Sequence, residues 1–141
     1  MLVTDVLHSA ADLYNNSRFK VEIPTALPKV KADINLIEQV LHNLFTNAQK
    51  YSLPDSMISI CAWQKDCEVV IAVCNQGTEI APGDLAKIFD PFYRAKQQVC
   101  VKGVGLGLYI TKLFVEAYGG RIWVERKDDR ENRFCFSLPV A

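Results

Sequence analysis

The stretch from Gln39 to Ser52 predicts a helix with two different sides, and it constrains the fold more than any other feature of the chain. At about 100° per residue, its apolar residues share one side: Val40, Leu41, Leu44, Phe45 and Ala48. A polar stripe of Asn43, Asn47 and Lys50, at the spacing i, i+4, i+7, runs along the edge of that side. Such a row could hold a metal and phosphates, but the solvated edge of an ordinary core helix has the same pattern. Taken alone, the helix favours the second interpretation.

Composition excludes several classes of protein. The 141 residues are 50% hydrophobic and 23% charged, which is typical of one globular domain with its own core. Sixteen basic and sixteen acidic residues cancel, so neither nucleic acid nor a membrane surface is an expected partner. The longest apolar run, 69–74, is too short to span a bilayer, and no signal-peptide pattern opens the chain. The five cysteines form no CxxC pair, and the three in strand-like runs are expected to be reduced core thiols. A cytosolic setting follows, which the soluble domain of a membrane-bound sensor would share.

The remaining periodicities predict an α+β domain. A helix over Leu2–Tyr14 and a strand over Arg18–Ile23 precede the long helix, which Asp33 caps and which ends near Tyr51. After it, a hairpin is predicted from strands 57–63 and 68–74 with the turn 64–67, followed by a loop over 75–83 and a short helix over 82–88. A lid over 95–102 precedes a second long helix over 103–118, which Gly119-Gly120 closes. A final hairpin pairs 121–126 with 132–138. The order αβαββααββ predicts a two-layer α+β sandwich rather than a doubly wound fold.

Three glycines at alternate positions, Gly103, Gly105 and Gly107, open the second long helix. They allow the backbone to approach a ligand closely, and the helix points its first amides and its dipole at the same place. This is the outline of a phosphate site, although neither the P-loop nor the dinucleotide fingerprint matches. A flexible hinge with close helix packing is an equally good interpretation of these glycines alone.

Four motifs in order resemble the N, G1, F and G2 boxes of sensor histidine kinases, whose catalytic ATP-binding domains belong to the superfamily of gyrase, Hsp90, histidine kinases and MutL (GHKL). The motifs are Asn43-x-x-x-Asn47-Ala-x-Lys-Tyr-Ser, Asn75-Gln-Gly77, Phe89-Asp-Pro-Phe92-Tyr-Arg and Gly103-Val-Gly-Leu-Gly-Leu108. The lid length and the wording of the last motif are similar to the KdpD-type osmosensing kinases. The resemblance covers essentially the whole chain and implies the Bergerat fold, in which about three helices cover one face of a mixed five-stranded sheet.

The resemblance also implies the ligands, ATP and Mg²⁺, and roles for the matching positions. Asn47 would bind Mg²⁺, Asn43 would support the phosphates or the metal, and Lys50 would balance phosphate charge. Tyr51 would lie against the adenine, the glycines would present amides to the phosphates, and Arg94 would reach the γ-phosphate. The implied nucleotide-binding set is Asn43, Asn47, Lys50, Tyr51, Asn75, Gly77, Ile80, Phe89, Phe92, Arg94, Gly103, Gly105, Leu106, Gly107 and Leu108. Phe89 and Phe92 would anchor the lid, with core packing as their simpler role.

Asn43 separates the subclasses of the superfamily. The ATPases carry a glutamate there that activates water, and the anti-sigma-factor serine kinases usually carry the glutamate too, whereas an amide cannot take a proton. Transfer to an external acceptor is therefore favoured over hydrolysis, and no residue of this chain is expected to transfer a proton. His8 precedes Ser9 and His42 precedes Asn43, so neither has the acidic neighbour of a phosphoacceptor histidine. The expected partners are a separate dimerisation and histidine-phosphotransfer domain and a downstream response regulator.

Two positions depart from the family pattern. The G1 box normally reads Asp-x-Gly-x-Gly, but Asn75 stands at the aspartate that accepts a hydrogen bond from the adenine amino group, and Glu79 stands at a glycine. Both changes are expected to weaken nucleotide binding, the first by roughly tenfold. The alternative hypothesis is therefore a degenerate domain that keeps the fold as an interaction or regulatory module.

Overall fold

The computed structural model describes residues 5, 19–23, 27–53, 56–77, 87–90, 107–127 and 130–141. Within them, five strands and two longer helices follow one another: β1 Phe19–Glu22, α1 Ile34–Tyr51, β2 Ile58–Lys65, β3 Glu68–Gln76, α2 Gly107–Ala117, β4 Arg121–Lys127 and β5 Glu131–Pro139. The predicted helix over 2–14 (of which only Asp5 is described), the short helix over 82–88 and the lid lie outside or almost outside these ranges.

All five strands form one sheet in the order β1-β2-β3-β5-β4. β1 pairs with β2 in parallel, and the other three pairings are antiparallel. The sheet is therefore mixed, as predicted. β3 lies at its centre, paired with β2 on one side and β5 on the other, so both ends of β3 are fixed by two neighbours.

Side chains alternate between the two faces of the sheet, and both described helices contribute to the core on one face. Ile71 and Val73 of β3 and Phe134 of β5 point to that face and are fully buried against α1. The apolar side of α1 is buried as the periodicity predicts: Ile37, Val40, Leu41, Leu44, Phe45 and Ala48 are all at 0% exposure. This burial, at about 1.5–3 kcal/mol for each large side chain, is the main reason why α1 is a helix in this chain.

The opposite face of the sheet carries a second, smaller cluster of Val70, Ala72, Cys74 and Cys135, against which Cys61, Trp63 and Trp123 pack. The cysteines described are free thiols, as expected. A hydrogen bond from Cys74 lowers the pKa of Cys61 to about 7, and the same bond together with burial raises the pKa of Cys74. Burial raises the pKa of Cys135 to about 12.

The ends of the helices follow the predicted signals. Asp33 caps α1, since its Oδ1 accepts a hydrogen bond of 2.7 Å from the amide of Asn35. Gly119 ends α2 with φ at +80°, a conformation that favours glycine. Gly120 is required for a different reason, because a Cβ there would lie 2.0 Å from the carbonyl oxygen of Ser137. No helix of the described residues is long and apolar enough to cross a membrane.

Two predicted boundaries are wrong. The turn of the β2–β3 hairpin was predicted over 64–67, but Gln64 and Lys65 still pair in the sheet, and Asp66, at φ 55°, makes the tighter turn with Cys67. Asn75 was predicted as loop, but it is the penultimate residue of β3, paired with Ile58 and Asn132. Both errors arise because polar residues extend a strand wherever a neighbouring strand supplies hydrogen-bond partners.

Candidate nucleotide-binding site

The polar stripe of α1 lies against the beginning of α2. Asn43 donates a hydrogen bond of 2.8 Å from Nδ2 to Oγ1 of Thr111, which is fully buried in the first half of α2. One turn further along α1, Asn47 donates from its own Nδ2 to the backbone carbonyl of Asn43, also at 2.8 Å. Both carboxamides are half-buried and held in defined orientations. The stripe is therefore not simply a solvated edge, because it forms part of the contact between the two helices.

The N-terminus of α2 is consequently adjacent to these amides. Thr111 is four residues, about one turn, beyond Gly107, the first residue of the helix. The first amides of a helix have no partner within it and carry its positive dipole end, so the middle of α1, around Asn43, faces groups suited to anions. Leu108 is 6% exposed and belongs to the core on the helix side of the sheet, so packing accounts for its side chain. Gly103, Gly105 and Leu106 lie outside the described residues and their roles stay predictions.

The C-terminal end of α1 meets the end of β3. Ser52 forms an isolated bridge with Gly77, and the amide of Leu53 donates to the carbonyl of Gln76 at 2.9 Å. Gly77 is held from its other side by the β4–β5 hairpin, since its amide donates to the carbonyl of Arg130 at 3.2 Å. Nine residues of helix, roughly 13 Å, separate Asn43 from this point. The candidate site thus has two ends, one beside the start of α2 and one beside the end of β3.

Asn75 is the most unusual residue at the second end. It is 1% exposed, and neither its Nδ2 nor its Oδ1 has a hydrogen-bond partner among the residues that the structure describes. It alternates with Val73 and Ile71 and therefore faces the helix side of the sheet. Most buried polar side chains are hydrogen-bonded, so a carboxamide with both groups unpaired is a candidate for binding a ligand.

Arg126 and Asn132 complete this end of the sheet. Both lie on the helix-facing side in the same cross-strand row as Asn75, since Asn132 pairs with Asn75 and with Arg126. The guanidinium of Arg126 donates from Nη1 to Oδ1 of Asn132 at 2.9 Å and to the carbonyl of Gly77 at 3.1 Å. Arg126 thereby fixes Gly77, the residue that directly follows β3.

Sequence reasoning missed Thr111, Arg126 and Asn132, because no motif includes them. A weak signal exists for the last two: Arg126 shares its strand face with Ile122 and Val124, and Asn132 shares its face with Phe134. A polar residue on an otherwise apolar face of a hairpin is unusual and marks a position with a specific partner.

The remaining predicted residues divide into two groups. Phe89 is 9% exposed and belongs to the helix-side core, so packing accounts for its side chain. The side chains of Lys50 and Tyr51 and all of Ile80, Phe92, Arg94, Gly103, Gly105 and Leu106 lie outside what the structure describes, and their assignment to the site stays a prediction.

The donor set fits a magnesium ion that is bound chiefly by phosphates. No group of three or more His, Cys, Asp or Glu side chains that could hold a metal exists among the described residues. The side-chain nitrogen of Asn47 donates within the helix, and its side-chain oxygen Oδ1 is the atom type that would bind a magnesium ion. Magnesium in nucleotide sites takes one or two protein oxygens and completes its octahedron with phosphate oxygens and water.

Comparisons with known proteins agree on one family. The family model described as histidine kinase-, DNA gyrase B- and HSP90-like ATPase matches residues 32–141. The sensor protein KdpD of Clostridium acetobutylicum is 35% identical over 98% of this chain, which spans only 16% of that relative's length.

Among solved structures, the nucleotide-free catalytic domain of the histidine kinase ThkA superposes with a TM-score of 0.85 at 29% identity, covering 99% of this chain and 93% of that one. ThkA in complex with its response regulator TrrA gives a TM-score of 0.82 at 26% identity, with 100% and 41% of the two chains covered. Full-length ShkA in complex with AMPPNP superposes with a TM-score of 0.83 at 26% identity, covering 100% of this chain and 30% of that one.

Proposed function

Since this chain belongs to the family of histidine kinase-, DNA gyrase B- and HSP90-like ATPases, we propose that it is the catalytic ATP-binding domain of a two-component sensor histidine kinase. It binds Mg-ATP and transfers the γ-phosphoryl group to a histidine on a separate dimerisation domain of the same protein. The relative KdpD is a sensor protein and the structural neighbour ThkA is a histidine kinase, which supports this branch of the family over the gyrase and HSP90 branches.

The observation that carries the proposal is the hydrogen bond from Asn43 to Thr111, which fixes the amide stripe of α1 beside the N-terminus of α2. This arrangement concentrates oriented amides and a helix dipole where a polyphosphate would lie. Phosphoryl transfer needs little more from the protein than positioning and charge stabilisation, so a row of amides beside a helix N-terminus suits the reaction. The bound Mg²⁺ supplies charge neutralisation to the phosphates, and Asn47 is the residue that would hold it.

Transfer rather than hydrolysis is supported by the chemistry of Asn43. Its Nδ2 donates to Thr111, and an amide has no basic site that could accept a proton from an attacking water molecule. In the transfer, an imidazole nitrogen of the acceptor histidine forms the new bond to phosphorus while the bond to the β,γ-bridging oxygen breaks. ADP leaves with the electron pair of that bond.

An apolar surface on α2 supports a helical partner. Ile110, Leu113 and Phe114 of α2, and Tyr118 directly after it, are exposed to between 37% and 47%. In this proposal the dimerisation domain covers that surface when its histidine approaches the nucleotide. In this proposal a response regulator is the downstream acceptor, and the solved complex of ThkA with the response regulator protein TrrA supports such a partner. The domain acts in the cytosol, where ATP is available.

A second candidate function is an interaction or regulatory module without nucleotide binding. The identity of Asn75 in the G1 position favours it, because an amide replaces the carboxylate of the family pattern. The same residue also argues against it: a buried, unpaired carboxamide costs about 1–3 kcal/mol, which a module without a ligand has no reason to retain.

Displacement of the fluorescent analogue TNP-ATP tests the proposal. ATP should compete with the analogue for the wild-type chain, with higher affinity when Mg²⁺ is present. Asn47→Ala should remove most of that Mg²⁺ dependence, and Lys65→Ala, at the far end of the β2–β3 hairpin, should bind as the wild type does. Phosphate release from the chain alone should stay at the level of buffer. Absence of TNP-ATP binding would favour the module, and sustained phosphate release would favour an ATPase.

A further inference from the structure

The carboxamide of Asn75 is the one buried polar side chain on the sheet's helix face for which the described residues supply neither a donor nor an acceptor. Its neighbours in the cross-strand row are the apolar Ile58 and the amide Asn132. Asn132 is already engaged, because its Oδ1 accepts from Arg126. Asn75 is thus set in a fixed β3 backbone, and no described residue uses the hydrogen-bonding capacity of its side chain.

The side-chain groups of Asn75, Nδ2 and Oδ1, differ from those of a carboxylate in the hydrogen bonds they can form. An amide side chain offers two N–H donors and an acceptor oxygen, whereas an ionised carboxylate offers acceptors only. No hydrogen bond to the described residues fixes which way the amide faces. A rotation of about 180° around its last torsion, which is broad and nearly two-fold for Asn, exchanges the positions of Oδ1 and Nδ2.

We propose that Asn75 makes the base pocket tolerant of 6-oxopurines, so that the chain accepts inosine and guanosine triphosphates besides ATP. The inference rests on the proposed function, since it assumes that the base lies at the β3 end of the site. With adenine, Oδ1 accepts from the 6-amino group and Nδ2 donates to N1. With a 6-oxopurine, the rotated amide donates from Nδ2 to O6 and accepts at Oδ1 from the N1 proton. Each base therefore receives two hydrogen bonds from the same side chain.

A carboxylate at the same position would discriminate between these bases. It would accept from the 6-amino group of adenine but would place negative charge against O6 of an oxopurine. A bidentate pair that reads a base edge is worth about tenfold or more in discrimination. The identity of residue 75 therefore determines base specificity, and Asn accepts both adenine and 6-oxopurines.

The difference in affinity between ATP and ITP tests this tolerance directly, because inosine differs from adenosine only at position 6 and in the proton on N1. Dissociation constants for both nucleotides, with Mg²⁺, are measured by calorimetry on the wild type and on Asn75→Asp, Asn75→Leu and the distal control Lys65→Ala. The wild type and the control should bind ATP and ITP within about threefold of each other. Asn75→Asp should bind ATP at least tenfold more tightly than ITP.

Asn75→Leu keeps the proposal testable if the aspartate variant does not fold, because it removes both hydrogen bonds without adding charge. It should lose affinity for ATP and ITP equally. A wild-type chain that binds ATP but rejects ITP by tenfold or more overturns the inference and leaves the proposed function intact. A wild-type chain that binds neither nucleotide overturns both.

Discussion

Replacing Asn75 by leucine should stabilise the chain without nucleotide and remove its response to nucleotide. Leucine has the same number of side-chain heavy atoms, and the site faces the apolar helix-side core. The substitution removes a donor and an acceptor that are buried and for which no described residue is a partner. Relief of that desolvation is worth about 1–3 kcal/mol in the free energy of unfolding. At about 3 °C per kcal/mol for a domain of this size, the Tm should rise by roughly 3–9 °C.

Thermal unfolding with and without Mg-ATP separates the two effects. At a nucleotide concentration of about 100 times Kd, the wild type should gain about 2.7 kcal/mol, whereas the leucine variant should gain little. Asn132→Leu is the matched control, because Asn132 is equally buried on the next strand but is hydrogen-bonded by Arg126. It should lose about 1–3 kcal/mol, since the substitution leaves a partner unsatisfied. A leucine variant at position 75 that is less stable than the wild type without nucleotide would refute the reasoning.

Three further predictions concern other parts of the structure. Thr111→Val should cost about 1 kcal/mol in urea unfolding, because it removes the hydroxyl that accepts from the facing amide of α1; an unchanged midpoint would mean that this bond contributes nothing. Gly120→Ala should destabilise the chain far more than Gly119→Ala, since only the first places a Cβ 2.0 Å from a carbonyl oxygen, and the two melting temperatures compare them. Alkylation of Cys61 by iodoacetamide, followed by mass spectrometry, should rise with pH around a midpoint near 7, because its thiolate forms as the pH passes its pKa of about 7. Cys74→Ala removes the donor to that thiolate and should move the midpoint to higher pH; an unmoved midpoint would contradict the assigned cause.

Periodicity was sufficient to predict the helices and strands that bury a clear apolar face. α1 was predicted to begin after Asp33 and to end near Tyr51, and it spans Ile34–Tyr51. The glycine signal after α2 was also correct, since Gly119 adopts a positive φ there. These features are local, so the chain itself carries the information that fixes them.

The site could be predicted only as far as its motifs extend. The motif containing Asn43 and Asn47 predicts which edge of α1 faces a ligand, but Thr111, whose hydroxyl accepts a hydrogen bond from Asn43, comes from another part of the chain. Asn75 was assigned to a loop because its partners in the sheet, on β2 and β5, are distant in sequence. The row that Asn75 forms with Asn132 and Arg126 arises from strand register, which depends on tertiary packing rather than on local sequence.

Calorimetric titration of the wild-type chain with AMPPNP and Mg²⁺ tests the central claim most directly, that the edge of α1 and the start of α2 form a working nucleotide site. The arrangement of Asn43, Asn47 and Thr111 predicts one nucleotide bound per chain, with affinity reduced when Mg²⁺ is withheld. Asn47→Ala should weaken binding in the presence of Mg²⁺ and leave the Tm of the chain without nucleotide nearly unchanged. No detectable heat of binding at millimolar AMPPNP from a folded wild-type chain would contradict the account.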